Sequence, residues 1–192
     1  MADPRRYNAV AMSLHWLIAA LIFTNIALAW YFNTLHGLAK TPPLQIHKSI
    51  GVTVLVLSLA RLGWRLISPP PPMPASIVGW ERWSAQLVHV LFYVVMIGMP
   101  LTGWAMSSAS KLISVYPITW FGVFQWPTIT PLANLAPGPM KVAHHYFSTA
   151  HSYGAWLAYG LIVLHVGAAL RHQFWKGDEV FWRMFPLGRR PA

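Results

Sequence analysis

The sequence predicts an all-α integral membrane protein in which four spanning helices form one bundle. Three observations lead there. Of 192 residues, 56% are hydrophobic and only 9% charged, against roughly 25% charged in an ordinary soluble domain. Four apolar segments, residues 12–31, 46–67, 87–106 and 150–173, each reach the ~20 residues that a helix needs to cross a bilayer. Proline-rich gaps separate them, as expected where the chain leaves a helix and its backbone must find other partners. The length suits a single unit spanning residues 1–192.

Taken in order, the first span follows Arg5 and Arg6. It is long enough to cross and no small-residue cleavage site follows, so it reads as a retained helix rather than a signal peptide. Pro42 and Pro43 mark the gap before the second span, and Pro69 to Pro72 the gap after it. Pro100 falls inside the third span and is expected only to kink it. A long outer loop, residues 107–147, carries Pro/Gly-rich residues 136–139 and leads to the fourth span.

The basic residues orient the bundle. With the N-terminus inside, Arg5, Arg6, Arg61, Arg65, Arg82, Arg171, Lys176, Arg183, Arg189 and Arg190 fall on the inner side, and Lys40, Lys48, Lys111 and Lys141 outside. This asymmetry, ten against four, places both termini in the cytoplasm by the positive-inside rule. For a bacterial chain the membrane is then the inner membrane. The net charge of +10 is a topology signal, and no nucleic-acid partner is expected. All four acids, Asp3, Glu81, Asp178 and Glu179, fall on the inner side, so the outer face is basic and free of carboxylates.

The chain has no cysteine, which excludes disulfides, iron–sulfur clusters, thiolate-bound zinc and covalent haem attachment. Histidine is the remaining strong metal ligand. There are nine, at 15, 36, 47, 89, 144, 145, 151, 165 and 172, and several lie within spans, where polar groups are costly and usually functional. His151 and His165 are 14 positions apart, so at 100° per residue they return to one face of span four, about 21 Å apart along the axis. His47, early in span two, matches His151 in depth. His15, early in span one, matches His165. Two b-type haems, an outer one between His47 and His151 and an inner one between His15 and His165, follow from that arithmetic. A metal-ion or proton-transport site would instead want acidic partners within the spans, which hold none.

Gly51, Gly154, Gly160, Gly167, Ala155 and Ala158 thin the walls of spans two and four, which admits a flat macrocycle, although taken alone such residues more often mark close helix packing. Arg61 stands 14 residues after His47, level with the inner haem, where it can pair a propionate or snorkel to the interface. His89 can replace His15 as a ligand, or hydrogen-bond a propionate or quinone. His172 continues the face of His165 toward inner water. His144 stands in the same relation to His151 outside, provided that its helix starts near Pro139. His36 and His145 read as solvated loop residues.

The chain resembles the bacterial cytochrome b561 family and, more distantly, the cytochrome b subunits of membrane formate dehydrogenases and nickel hydrogenases. The resemblance rests on Ser13-Leu14-His15-Trp16-Leu17, the segment Ile46-His47-Lys48-Ser49-Ile50-Gly51, and Val88-His89-Val90-Leu91-Phe92-Tyr93. Leu164-His165, Arg171-His172-Gln173-Phe174-Trp175-Lys176 and Met184-Phe185-Pro186 extend it to the C-terminal part. It implies the same four haem ligands and ubiquinone as the inner-side partner. The family's nearest branch implies an oxidoreductase of the superoxide oxidase type, in which superoxide donates electrons outside and quinone is reduced.

A quinone head group would suit the surroundings of Trp16, His89, His172 and Trp175, with aromatic walls and imidazoles that donate protons. Singly, Trp16 and Trp175 also fit an interfacial aromatic belt. Lys40, Lys48, Lys111, Lys141 and His144 would make an outer funnel for an anion. The alternative is a cytochrome b anchor that accepts electrons from a periplasmic dehydrogenase or hydrogenase. Trp120, Phe121, Phe124, Trp126 and Pro127 of the long loop would then dock the protein partner. Membrane lipid is a partner on either reading.

Overall fold

The computed structural model describes residues 6–74 and 77–186. Asp3, Arg5, Arg189 and Arg190, used in the topology argument, lie outside the described residues. Four helices are long and apolar enough to cross a membrane: α1 (Ala9–Asn33), α2 (Thr41–Ile67), α3 (Gly79–Ser108) and α5 (Pro137–Arg171). Between α3 and α5 stand a two-stranded antiparallel hairpin, β1 (Thr119–Trp120) and β2 (Phe124–Gln125), and the single turn α4 (Thr130–Ala133).

The four expected spans are present, but all four helices begin earlier than hydropathy suggests. Pro42 and Pro43, read as a break, occupy the first turn of α2, where a missing N–H costs nothing. Helix α3 starts at Gly79 rather than 87, with Glu81 in its first turn, where an acid suits the helix dipole. The largest difference is α5, whose 35 residues rise about 50 Å, more than a hydrocarbon core of ~30 Å. Its first turns are too polar for hydropathy to mark as part of a span. Pro139 does stand near the start, as the placement of His144 required, but His145 is an exposed helical residue rather than a loop one. Pro100 lies within α3, which runs on through it.

Helix α1 packs on α2, α2 on α3, and α3 on α5. The apolar core lies among the first three: Ile18, Ile50, Val54 and Met96 are buried, with Leu21, Ile22, Leu57, Phe92 and Tyr93 around them. Helix α5 stands off from α1 and α2, and is bridged to them by long side chains, such as Trp30 Nε1, which donates to the Tyr159 hydroxyl at 3.2 Å.

The bundle has two different ends. At one, the segments flanking α1, α2 and α5 are tied together. Arg6 Nη2 donates to the Phe185 carbonyl (2.6 Å), the Tyr7 amide to the Arg183 carbonyl (3.1 Å), and Arg183 Nη2 to the Pro72 carbonyl (2.8 Å). Asn8 caps α1 and takes a bond from Trp64 Nε1. Glu81 accepts from Arg171 and Lys176. We call this the terminal end, and the other the hairpin end.

The hairpin is fastened along α2. Ser49 is only 2% exposed; its hydroxyl lies 2.7 Å from the Thr119 carbonyl and accepts from the Phe121 amide at 3.1 Å. Trp120 Nε1 donates to Thr53 Oγ1 (3.0 Å), and Gln45 Nε2 to the Pro117 carbonyl (3.0 Å). Removing the Ser49 hydroxyl leaves two loop groups unpaired, at a cost of about 1–3 kcal/mol for a buried orphaned group. Ser49→Ala is therefore expected to lower the thermal midpoint and to speed proteolysis between residues 117 and 126. An unchanged melt with unchanged cleavage would show that the hairpin is held by other contacts.

Candidate functional site

The 14-residue repeat on α5 delivers one imidazole to each half of the bundle. Toward the hairpin end, His151 faces His47 of α2, with ring centroids 6.3 Å apart and planes at 72°. Toward the terminal end, His165 faces His15 of α1 at 6.1 Å and 72°. The partners named from depth alone are thus the ones that meet.

T-shaped aromatic packing also gives separations near 6 Å, so the ring nitrogens carry more information. At the hairpin-end pair both Nδ1 atoms meet backbone carbonyls: His47 with Asn25 O at 3.2 Å, and His151 with Met99 O at 3.0 Å. A carbonyl only accepts, so each Nδ1 carries the proton and each Nε2 keeps its lone pair, the tautomer that a metal-ligating histidine needs. The Thr102 hydroxyl donates to Met99 O (2.8 Å) and lies 3.1 Å from His151 Nδ1, sharing its proton. A Cβ at Gly103 would stand 3.3 Å from His151 Cε1. The missing side chain lets α3 lie against that ring.

The terminal-end site holds three imidazoles. His89 of α3 also approaches His165, at 5.8 Å, and Phe92 packs on His165 at 5.3 Å. Arg61 reaches this level, as its spacing from His47 predicted, and its Nη1 lies 3.1 Å from His15 Nδ1. Guanidinium only donates, so in this contact His15 Nδ1 accepts.

The other expected residues are dispersed. Trp16 lies beside His15 at 5.3 Å, but its Nε1 is taken by the Met184 carbonyl at 2.8 Å. His172 is buried and paired with Asp178 at 2.6 Å, in the π-helical turn that follows α5. Trp175, in the same turn, is 83% exposed, as suits an interfacial belt. At the hairpin end, Lys40 lies over the Phe32 ring, which itself packs on His47. Lys111 and Lys141 are exposed, Lys48 is half-buried, and His144 Nδ1 bonds the Met106 carbonyl at 2.8 Å. Among the described residues, Glu81, Asp178 and Glu179 all belong to terminal-end segments, and Glu81 and Asp178 are ion-paired there. Of the thin-wall glycines, Gly154 packs against Met99, whereas Gly51, Gly160 and Gly167 face open space.

The supports of the rings escaped the sequence reading. Asn25 and Met99 act through their peptide carbonyls, which leave no mark in a sequence. The Thr102-Gly103 pair was the one available signal, a small polar step inside an apolar span.

The hairpin-end pair fits a haem iron in spacing and tautomer, and the terminal-end pair fits it in spacing. Imidazole nitrogens about 2.0 Å from a shared metal, with each ring centre about 1.1 Å behind its nitrogen, put the centroids about 6 Å apart. Gly103→Val must displace the His151 ring, and is expected to lower the b-type haem bound per chain, read as a pyridine haemochrome. Gly138→Ala, in open space at the start of α5, should leave haem content unchanged. Full haem content in Gly103→Val would detach Gly103 from the site.

Comparison with known proteins bears on the chemistry. A family model described as prokaryotic cytochrome b561 matches residues 6–187. The chain is 31% identical to cytochrome b561 homolog 2 of Escherichia coli (strain K12) over 185 residues, 94% of this chain and 92% of that protein. It is 26% identical to cytochrome b561 homolog 1 of the same organism, across 94% and 97% of the two chains. It is 27% identical to the probable superoxide oxidase CybB of Yersinia pestis, across 96% and 98%. Four apolar crossings, the paired histidines and this match over most of its length make the chain a member of the prokaryotic cytochrome b561 family, an electron-transfer cytochrome of the membrane whose family cofactor is b-type haem.

Proposed function

We propose that this cytochrome is a superoxide:ubiquinone oxidoreductase of the bacterial inner membrane, with the terminal end in the cytoplasm and the hairpin end in the periplasm. The observation that carries this reading is the pair of histidine sites at two depths of α5, each with a facing imidazole near 6 Å. The 27% identity to a probable superoxide oxidase supports the choice of donor. In the net reaction two superoxide ions lose one electron each and become dioxygen. One quinone takes up the two electrons and two protons to become quinol.

In this reading His47 and His151 hold the outer haem, and His15 and His165 the inner one. Bound there, haem supplies the one-electron redox chemistry that joins the two sides. For His15 to ligate through Nε2, its Nδ1 must carry the proton, so Arg61 must turn to another acceptor. An anionic propionate is the acceptor that suits a guanidinium. His89, third in the inner cluster, and the Asp178-held His172 are the imidazoles suited to pass protons toward a quinone beside Trp16.

Two experiments test this. Superoxide, supplied as the only reductant, is expected to reduce the purified cytochrome, with quinol appearing when ubiquinone is added. His47→Ala and His15→Ala should each lose about half the haem, while His89→Ala keeps it and slows quinol formation. A protein that superoxide leaves oxidised is not a superoxide oxidase, and loss of haem in His89→Ala with retention in His15→Ala would reassign the inner ligand.

The second concerns the donor's approach. The described residues of the hairpin end carry lysines and no carboxylate, so the field there favours an anion and is screened by salt over about 10 Å at 0.1 M. The rate of reduction by superoxide should fall several-fold as ionic strength rises from 0.01 to 0.1 M, and again on Lys48→Glu. A rate independent of salt and of Lys48 would remove steering from the mechanism.

A further inference from the structure

The polypeptide between Lys111 and Lys141 is unusual for an extramembrane loop: its 29 residues include no Asp, Glu, Lys, Arg or His. Its middle folds as the β1–β2 hairpin and α4, and the hairpin is laid against α2. Its anchors, Gln45, Ser49 and Thr53, recur every four residues and form one stripe along α2. That stripe lies roughly opposite His47, which is two residues from Gln45 and so about 200° round the helix. The hairpin therefore lies on the outer wall of the bundle, away from the paired rings.

Depth follows from the same residues. The apolar stretch of α2 centres near residues 56–57, so Ser49 is about 11 Å of rise from the centre and Thr53 about 5 Å. Both lie within the ~15 Å half-thickness of a hydrocarbon core. Non-helical backbone at such a depth is tolerated where it is packed into protein, and six backbone groups of the hairpin segment find protein partners. Thr119 O and the Phe121 N–H meet Ser49, the Val123 amide donates to Trp120 O at 2.9 Å, and the Trp126 amide to Ile118 O at 2.8 Å.

Apart from Gln125, which is exposed on β2, the side chains that the hairpin turns outward are apolar. Phe121 and Gly122 both adopt positive φ, 47° and 76°, a backbone state that costs a bulky residue energy. Phe121 (49%), Val123 (73%) and Phe124 (48%) are exposed, and so is Val56 (50%), one turn along α2 from Thr53. A docking face for a soluble protein carries a polar, solvent-accessible rim, and this segment has no charge to build one.

We propose that the β1–β2 hairpin is a re-entrant element that enters the bilayer beside α2 and presents Phe121, Val123 and Phe124 to lipid. It widens the bundle with a lipid-facing wedge at the level of the hairpin-end histidines. The proposal needs only the spanning helices and holds whatever the cytochrome's donor is.

Because the chain is free of cysteine, single spin labels report on it cleanly. Haem-loaded Val123→Cys would be labelled and returned to phosphatidylcholine vesicles, with Leu59→Cys, half-exposed on α2, and Lys111→Cys as references. Collision with apolar oxygen and with a water-soluble nickel chelate is then measured by power saturation. Position 123 is expected to match position 59, with an oxygen-to-nickel ratio several-fold above that at 111. Phe124→Cys provides a second reading should Val123→Cys fail to take up haem. A nickel accessibility equal to that at 111 would overturn the proposal. So would a label reached by neither reagent, or broadening that disappears on dilution with unlabelled protein, which marks an interface between copies.

Discussion

Hydrocarbon offers no water to an imidazole, so every histidine held at membrane depth needs a protein acceptor for its N–H or a partner for its lone pair. At the hairpin-end pair the first need is met by two backbone carbonyls, Asn25 O and Met99 O. Much of the architecture follows from those two bonds. A carbonyl in a helix already accepts from the residue four positions on; Asn25 O meets His47 with its remaining lone pair, and Met99 O shares its own between His151 and the Thr102 hydroxyl. Helices α1 and α3 are thereby held at fixed register against His47 and His151. Gly103 is the local price of that register, since a larger residue there would push the ring off its carbonyl.

The spacing of α5 from α1 and α2 has the same origin. Helices packed by small residues approach at 8–10 Å or less, as α3 and α5 do where Gly154 receives Met99. Two facing histidine rings with centroids more than 6 Å apart hold their helices farther apart. The apolar core is accordingly concentrated among α1, α2 and α3, and Leu161 is the one buried residue of α5. One side of the bundle is packed like an ordinary helical protein. The other is spanned by rings, which suits a site for a planar group.

The crossings and the His47–His151 and His15–His165 contacts were legible in the sequence because both rest on regularities of the α-helix: 1.5 Å per residue fixes depth, and 100° per residue fixes face. Hydropathy reports only where a helix meets hydrocarbon, so it could not see the polar first turns of α5, or that Pro42 and Pro43 begin α2 rather than end the gap. The convergence of His89 on His165 depends on how α3 rotates against α5, a tertiary quantity with no signature in spacing along either helix. The same holds for Trp16, whose bond to Met184 O joins residues from opposite ends of the chain. The hairpin was invisible for a further reason. Its strands are two residues each, too short to show alternation, and its position is set by the Ser49 hydroxyl on a distant helix.

The two ends of the bundle divide the electrostatic work between them. At the terminal end, where seven described cations outnumber three carboxylates, acids are used in local ion pairs: Glu81 lies between Arg171 and Lys176, Asp178 holds His172, and Arg183 is buried against the Pro72 carbonyl. Matched charge produces little field at a distance but fixes geometry, and here it fastens the end of α5 to the start of α3. At the hairpin end the described cations face no carboxylate, and Lys40 rests on an aromatic face instead. Unmatched charge does the reverse: it orders little and projects a field. The terminal end is thus the fastened one, its Glu81 tying α5 to α3, whereas the described lysines of the hairpin end meet no carboxylate and leave their charge uncancelled.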